Sequence, residues 1–119
     1  MGDVVQWVLE LNIKDGKFDA FEALMNEMVA ATNANEPDAL AYEWFVSDDR
    51  KSCHIYERYA DSAAVMTHLG NFGAHFAKPF LDALEPTRLT VYGCPSDEAK
   101  GALAGLNAAF MEGIGGYSR

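Results

Sequence analysis

Residues 36–76 read EPDALAYEWFVSDDRKSCHIYERYADSAAVMTHLGNFGAHF, and this stretch predicts a β-hairpin followed directly by a helix. Residues 40–47 and 52–59 alternate with a period of two, which is typical of strands, and a short polar turn separates them. Asp61 or Ser62 can then cap a helix, because short oxygen-bearing side chains accept hydrogen bonds from its first turn. The stretch therefore predicts two antiparallel strands and a helix in succession.

A strand and a helix are predicted before this hairpin. Residues 4–13 alternate so that one face of the predicted strand is strongly apolar. Apolar residues then recur at spacings of three and four, which predicts an amphipathic helix from about Lys17 to Asn33. Pro37 follows shortly, and a helix cannot continue through it.

A further strand and helix are predicted after the hairpin and its helix. We expect Gly-Asn at residues 70–71 to interrupt the second helix, and Pro79 to allow only a kinked or restarted continuation. Residues 87–94 again carry a strand pattern. A last helix is predicted after this strand, carrying Leu103, Leu106 and Phe110.

The order βαββαβ predicts an α+β fold, the ferredoxin-like split βαβ arrangement, with an antiparallel sheet and both helices on one face. The strands carry large side chains on both faces, as Trp7 and Val8 illustrate. A sheet that is apolar on both faces needs a second cover, so we expect a homodimer with the two sheets face to face. The expected division is a ferredoxin-like domain over residues 1–95, with a C-terminal helix and flexible tail over residues 96–119.

Composition limits the classes of partner. The 119 residues suit one domain, and nine basic against eighteen acidic residues give a formal charge of -9, which disfavours nucleic acid. No run approaches the ~20 apolar residues of a membrane span, and the first residues do not look like a secretory signal, so we expect a cytoplasmic protein without membrane association. Cys53 and Cys94 lie in predicted strands, where we expect free thiols packed as small hydrophobic groups.

A set of short motifs points to a known family. In chain order, they are Glu36-Pro37-x-x-Leu40-x-Tyr42-Glu43, Ile55-Tyr56-Glu57-x-Tyr59, Ser62 followed six residues later by His68-Leu69, and Phe72 to Phe76. Together they resemble the antibiotic biosynthesis monooxygenase (ABM) domain of the dimeric α+β barrel superfamily, over roughly residues 4–93. The family includes small oxygenases that oxidise quinols or polycyclic phenols with molecular oxygen, without metal or flavin, and a branch that degrades haem.

The resemblance implies a cofactor-independent monooxygenase, with no cofactor and no metal, that acts on a small aromatic molecule such as a phenol, quinol or polycyclic compound. A homodimer that binds a small hydrophobic molecule without catalysis, or serves only a structural purpose, is the alternative. Haem breakdown is a remote third hypothesis. Tyr59 stands where the family often has tryptophan, and the first strand has no counterpart of the asparagine that the haem-degrading branch uses.

His68, Glu57 and Asn71 are the candidate catalytic residues. His68 lies on the apolar stripe of the second helix, where a neutral imidazole could take a substrate proton, or where a core histidine could bond a backbone carbonyl. Glu57 interrupts an apolar strand row, so it could orient His68 or bind a phenol hydroxyl, or else pair with Arg58 or Arg88 or contact a second subunit. Asn71 is a plausible polar contact or simply a turn residue.

A planar guest would need an aromatic pocket. The candidate substrate-binding residues are Tyr42, Trp44, Tyr59, Phe72, Phe76 and Phe80, each of which could equally serve core or interface packing. We expect His54 to pack on the opposite sheet face and His75 to be solvated. Their spacing with His68 and Glu57 does not match a metal site.

Overall fold

The computed structural model describes residues 3–119 of the chain. Its elements in chain order are β1 (Val5–Ile13), α1 (Phe18–Asn35), β2 (Ala39–Val46), β3 (Ser52–Tyr59), α2 (Ser62–His75), α3 (Ala77–Ala83), β4 (Leu84–Gly93), α4 (Asp97–Ala104) and β5 (Ala109–Met111). The five strands form one sheet in the order β2-β3-β1-β4-β5. All neighbouring pairs are antiparallel except β4 and β5, which are parallel. The predicted ferredoxin-like α+β fold is therefore confirmed, with β5 added at one edge.

The core lies between one face of the sheet and the helices. Val5, Trp7 and Leu11 of β1 are buried, as the period of two predicts. The stripe of α1 that includes Leu24 and Met28 packs on the same side. The side-chain periods of strand and helix thus direct both apolar surfaces into a common interior.

The second helix differs from the prediction. Asp61 caps it by accepting a hydrogen bond from the Ala64 N–H at 2.8 Å, as expected. However, α2 continues through residues 70–71 to His75, so the predicted interruption there is wrong. A glycine inside a helix costs only about 1 kcal/mol, which packing elsewhere along the helix offsets. The break comes instead at Phe76, where the chain restarts as α3.

The C-terminal part also differs. The predicted last helix ends at Ala104, and Phe110 lies in β5 rather than on that helix. Gly105 follows the helix, and Asn107 takes a positive φ of 61°, a conformation that asparagine adopts more readily than most residues. The reversal brings Phe110 beside Val91 of β4. The sheet therefore gains a strand that the sequence pattern concealed.

Two local features alter the placement of individual side chains. Cys53 is buried as expected, whereas Cys94 is exposed because β4 ends at Gly93. Burial raises the pKa of the Cys53 thiol to about 12. The β2 register shifts between residues 39 and 41, so Leu40 turns away from the core and is 54% exposed.

The opposite face of the sheet carries large apolar side chains. Phe45 and Tyr92 are 55% and 37% exposed there. His54 also lies on this face, as expected, with its Nε2 3.7 Å from the Glu10 carboxylate. Within residues 3–119, no helix has the length and apolar character needed to cross a membrane.

Candidate active site

A connected set of polar side chains is buried beneath the sheet. The Nδ1 of His68 lies 3.0 Å from Glu36 Oε1, and its Nε2 lies 3.2 Å from Glu57 Oε1. Tyr59 donates its hydroxyl to Glu57 Oε1 at 2.7 Å. Asn71 donates its amide to Glu36 Oε2 at 3.2 Å. The order of contacts is therefore Tyr59, Glu57, His68, Glu36, Asn71.

Each of the three central residues is placed by its own element. Glu57 belongs to the inward row of β3, and His68 to the buried face of α2. Glu36 ends α1, where its N–H bonds the Thr32 carbonyl at 2.9 Å and Pro37 prevents another turn. The end of α1 thus carries a carboxylate to one side of the imidazole, while the strand supplies a carboxylate to the other.

The two carboxylates determine the protonation of His68. Burial alone would lower the pKa of this imidazole, because the charged form is poorly solvated. The hydrogen bonds and charges of Glu36 and Glu57 outweigh burial and raise the pKa to about 9. Burial acts against ionisation of Glu36 as well, but its bonds to His68 and Asn71 hold the pKa below the usual range. Near neutral pH, His68 is therefore an imidazolium.

Two tyrosines complete the electrostatics of the site. Burial, followed by the charge of Glu57, raises the pKa of both Tyr42 and Tyr59 well above the ordinary value. Both hydroxyls therefore stay protonated, and that of Tyr59 donates to Glu57 Oε1. The ring of Tyr42 lies edge-on to His68, with centroids 5.3 Å apart.

An apolar cavity of about 220 Å³ opens on the Glu57 side of His68. It is lined by Trp7, Leu9, Met28, Tyr42, Ile55, Glu57, His68, Leu69, Phe72, Phe80, Leu81, Pro86, Leu89, Leu103, Leu106 and Asn107. Glu57 supplies the carboxylate and His68 the imidazole among these described residues. Both are almost fully buried, at 3% and 6% exposed, so they mark the inner end of the cavity.

A second, more polar cleft of about 200 Å³ lies on the Glu36 side. Thr32, Asn35, Glu36, Asn71 and His75 are among its lining residues. Met28, His68 and Phe72 line both spaces, so the imidazole is part of the partition between them. A molecule in the apolar cavity meets Nε2 and Glu57, whereas solvent in the cleft approaches Glu36.

The structure brings the predicted catalytic residues into one cluster, but not into one cavity. His68 and Glu57 both face the apolar cavity. Asn71 lines the polar cleft and contacts the cluster through Glu36, because it lies on α2 almost a turn beyond His68. There it donates to the Glu36 carboxylate, and it is not among the residues that line the apolar cavity.

Four of the six predicted aromatic residues line one or both of the two spaces. Tyr42, Phe72 and Phe80 line the apolar cavity, as the sequence suggested, while Phe76 lines the polar cleft at the break between α2 and α3. The ring of Phe72 meets that of Phe80 edge-on, at 5.0 Å between centroids. These rings give the cavity flat apolar walls.

Trp44 and Tyr59 lie behind the cavity wall instead of on it. Trp44 packs between Phe21 and Phe80, with centroid distances of 5.9 and 6.2 Å. The Tyr59 ring lies 4.9 Å from that of Trp7, which is the residue that reaches the cavity. Trp7 lines the cavity in place of the predicted Tyr59. It does so because it pairs with Glu57 in the sheet and lies beside it on the inner face.

An arginine partner for Glu57 and a backbone-carbonyl partner for His68 are not observed among the described residues. Arg58 donates to Gln6 at 3.3 Å, and Arg88 lies 3.9 Å from Glu10, so neither arginine pairs with Glu57. The polar partners of His68 are carboxylates rather than a backbone carbonyl.

Sequence reasoning missed Glu36 as a site residue. It is separated from His68 by 32 positions, and no periodicity links the end of one helix to the middle of another. Its signal was a carboxylate directly before a proline, at the head of the first family motif. The cavity residues after position 100, which are Leu103, Leu106 and Asn107, lie outside the family motifs, so no motif marked them as site residues. Within residues 3–119, no group of three or more His, Cys, Asp or Glu side chains is arranged to hold a metal ion.

Comparisons with known proteins agree with this architecture. A family model described as antibiotic biosynthesis monooxygenase matches residues 5–78. MupZ from Pseudomonas fluorescens is 23% identical with a TM-score of 0.87, over 98% of this chain and 95% of that chain. SnoaB, a cofactor-independent oxygenase from Streptomyces nogalater, is 18% identical with a TM-score of 0.64, over 79% of this chain and 95% of that chain.

Rv0793 from Mycobacterium tuberculosis is 25% identical with a TM-score of 0.60, over 81% of this chain and 98% of that chain. No curated protein matches the sequence. The similarity to MupZ is the one among these three that extends through α4 and β5, since it covers almost the whole chain.

Proposed function

The chain belongs to the antibiotic biosynthesis monooxygenase family, and on this premise we propose that it is a cofactor-independent monooxygenase that oxidises a neutral phenol or quinol with molecular oxygen. The observation that carries the proposal is the pairing of Glu57 with a protonated His68 at the inner end of an apolar cavity. SnoaB, which shares the fold, is named as a cofactor-independent oxygenase. Such chemistry needs a proton acceptor, a donor for the resulting oxyanion and a dry surrounding.

The first step is removal of the substrate's hydroxyl proton. Glu57 is the acceptor that we propose, because its carboxylate faces the cavity. His68 then donates from Nε2 to the phenolate oxygen, and a fixed positive charge in an apolar site stabilises such an anion strongly. The sequence suggested a neutral His68 base, but a pKa of about 9 favours the donor role.

The second step is reaction with oxygen. The electron-rich carbon of the phenolate transfers electrons to molecular oxygen and forms a C–O bond, and the peroxide takes the proton held by Glu57. The same carbon then loses its hydrogen as the O–O bond breaks, which leaves a carbonyl on the substrate and releases the outer oxygen atom as water. In total, the substrate loses two hydrogen atoms and gains one oxygen atom, and the other oxygen atom leaves as water, so no external reductant is consumed.

Binding without catalysis is the second candidate function. It is favoured by the contacts of Glu57 Oε1, which already accepts from Tyr59 at 2.7 Å and lies 3.2 Å from His68 Nε2. A buried carboxylate with these hydrogen-bond partners can stabilise the fold without taking part in a reaction. Under this hypothesis, ligands bind in the cavity but are not turned over.

A homodimer is also part of the proposal. Phe45 and Tyr92 leave an apolar surface on the sheet face opposite the helices, and a second copy of the same face is its simplest cover. The active sites lie on the other side of each sheet, so each subunit retains its own cavity.

Oxygen consumption tests the activity. We expect the wild-type protein to accelerate the oxidation of anthrone or 1,4-naphthoquinol above the spontaneous rate, in buffer treated with a chelator. His68→Ala and Glu57→Gln should each reduce this excess rate by about 10²-fold or more. His75→Ala is the control, since it removes an exposed histidine from the same helix. If all four proteins match the spontaneous rate while a quinone still binds, the non-catalytic function is correct.

A further inference from the structure

Two half-exposed leucines stand at the mouth of the apolar cavity. Leu81 on α3 is 50% exposed and Leu106, just after α4, is 55% exposed, yet both line the cavity. The inner end, at Glu57 and His68, is by contrast almost fully buried. The cavity therefore runs from an ionisable pair inside to an apolar opening at the surface.

The position of Leu106 is determined by a well-anchored segment. Ala99 and Leu103 of α4 are fully buried in the core, and the Ser96 N–H bonds Ser62 Oγ at 2.8 Å at the start of α2. The Leu106 N–H then bonds the Leu103 carbonyl at 2.9 Å. Leu106 is thus held at the mouth by the fold, even though half of its own surface is not packed.

The turn after Leu106 adds to this rigidity. Asn107 occupies the left-handed region with φ 61°, and its N–H bonds the Ala104 carbonyl at 3.0 Å. The chain then enters β5, which pairs with β4. The backbone that carries Leu106 is therefore held on both sides, by α4 and by β5, although the side chain is half exposed.

The size and charge of the cavity indicate what covers these leucines. A volume of about 220 Å³ is below the ~300–1,000 Å³ typical of sites for drug-sized ligands. A larger substrate must therefore extend through the mouth. The lining side chains at that mouth are three apolar ones, Leu81, Pro86 and Leu106, and the uncharged Asn107. Lys14 Nζ donates to the Leu81 backbone carbonyl at 2.6 Å, but Lys14 does not line the cavity. The emerging part therefore meets a mainly apolar surface.

We propose that the substrate is an elongated amphiphile, whose hydroxylated ring fills the cavity and whose apolar chain leaves between Leu81 and Leu106. The end of α4 and the turn after it, which supply Leu103, Leu106 and Asn107, are then the wall that determines substrate length and specificity. This inference rests on the proposed function for the identity of the ring. It does not require that the protein turns the substrate over.

Ligand binding tests the inference without catalysis. The probes are menadione and its 3-hexyl derivative, two oxidised quinones that differ only in an apolar chain. Binding is followed by quenching of tryptophan fluorescence, because Trp7 lines the cavity. The measured quantity is the ratio of the two dissociation constants, which isolates the contribution of the chain.

Matched variants separate the mouth from general hydrophobic binding. We expect the hexyl derivative to bind wild type at least tenfold more tightly than menadione. Leu106→Ala and Leu81→Ala should each reduce this advantage about fivefold, as expected for the exposed half of a leucine side chain. Leu40→Ala is the control, because Leu40 is 54% exposed but lies outside the cavity, and it should leave the ratio unchanged.

The outcomes separate this inference from the proposed function. The assignment of the mouth is wrong if the ratio of the two dissociation constants is the same in Leu81→Ala, Leu106→Ala and Leu40→Ala. It is also wrong if wild type binds both quinones equally tightly. In either case, the proposed oxidation of a compact ring stands. Failure of both quinones to bind overturns the inference together with the proposed ligand class.

Discussion

Replacing Glu36 by glutamine should lower the pKa of His68 by roughly one unit. The pKa of His68 is raised from 6.5 to about 9 although burial acts in the opposite direction. Its two carboxylate partners lie at similar distances, 3.0 Å for Glu36 and 3.2 Å for Glu57. Each carboxylate therefore contributes to the rise, and losing the charge of one should remove on the order of 1 kcal/mol of preference for the imidazolium.

The assay is an NMR titration of the imidazole carbon-bound protons. We expect a midpoint near 9 in wild type and about one unit lower in Glu36→Gln, since glutamine still accepts a hydrogen bond but carries no charge. In the double variant Glu36→Gln/Glu57→Gln, the midpoint should fall below 6.5, because burial then acts without a compensating charge. Glu43→Gln, at an exposed position on β2, is the control.

Two results would refute this reasoning. A Glu36→Gln midpoint equal to that of wild type would mean that Glu36 does not share the imidazolium charge. A double-variant midpoint that stays near 9 would mean that a group other than the two carboxylates stabilises the protonated form.

Three further predictions concern stability, assembly and thiol reactivity. Because the His68 pKa is higher in the folded state, its stabilisation is fully present below pH 6.5 and is lost as the pH rises through about 9. The urea midpoint should therefore fall between pH 7 and pH 9.5, and His68→Gln should abolish this fall. Phe45→Asp should convert the proposed dimer into a folded monomer by light scattering coupled to size exclusion, and a dimeric variant would contradict the proposed interface. Cys94 should react with Ellman's reagent within seconds to minutes in the native state, whereas buried Cys53 should react only after unfolding; two fast thiols would contradict the burial of Cys53.

Much of the fold was predictable because short-range periodicity carries it. The period of two in β1 and β3 and the cap at Asp61 require no knowledge of distant contacts. Predictions failed where a local tendency competed with packing. Gly70 has a weak tendency to end a helix, but α2 is held by its buried face and continues past it.

The site was predictable only in part, for a similar reason. His68 and Glu57 were identifiable because each places a polar group in an apolar row. Glu36 was not, because its significance lies in a contact across 32 positions of sequence. The neutral base expected at His68 gave way to an imidazolium once both carboxylates were in place.

The sequence by itself determined the family, the order of elements from β1 to β4 and the two polar residues that face the cavity, since alternation and motif spacing are local properties of the chain. The tertiary structure alone decided that Glu36 completes the ion pair cluster, that Asn71 faces the polar cleft, and that Leu106 reaches the cavity mouth. Those contacts depend on how α1, α2 and α4 pack on one sheet. Local patterns indicate which face of an element is buried, but not which residue of another element it will meet.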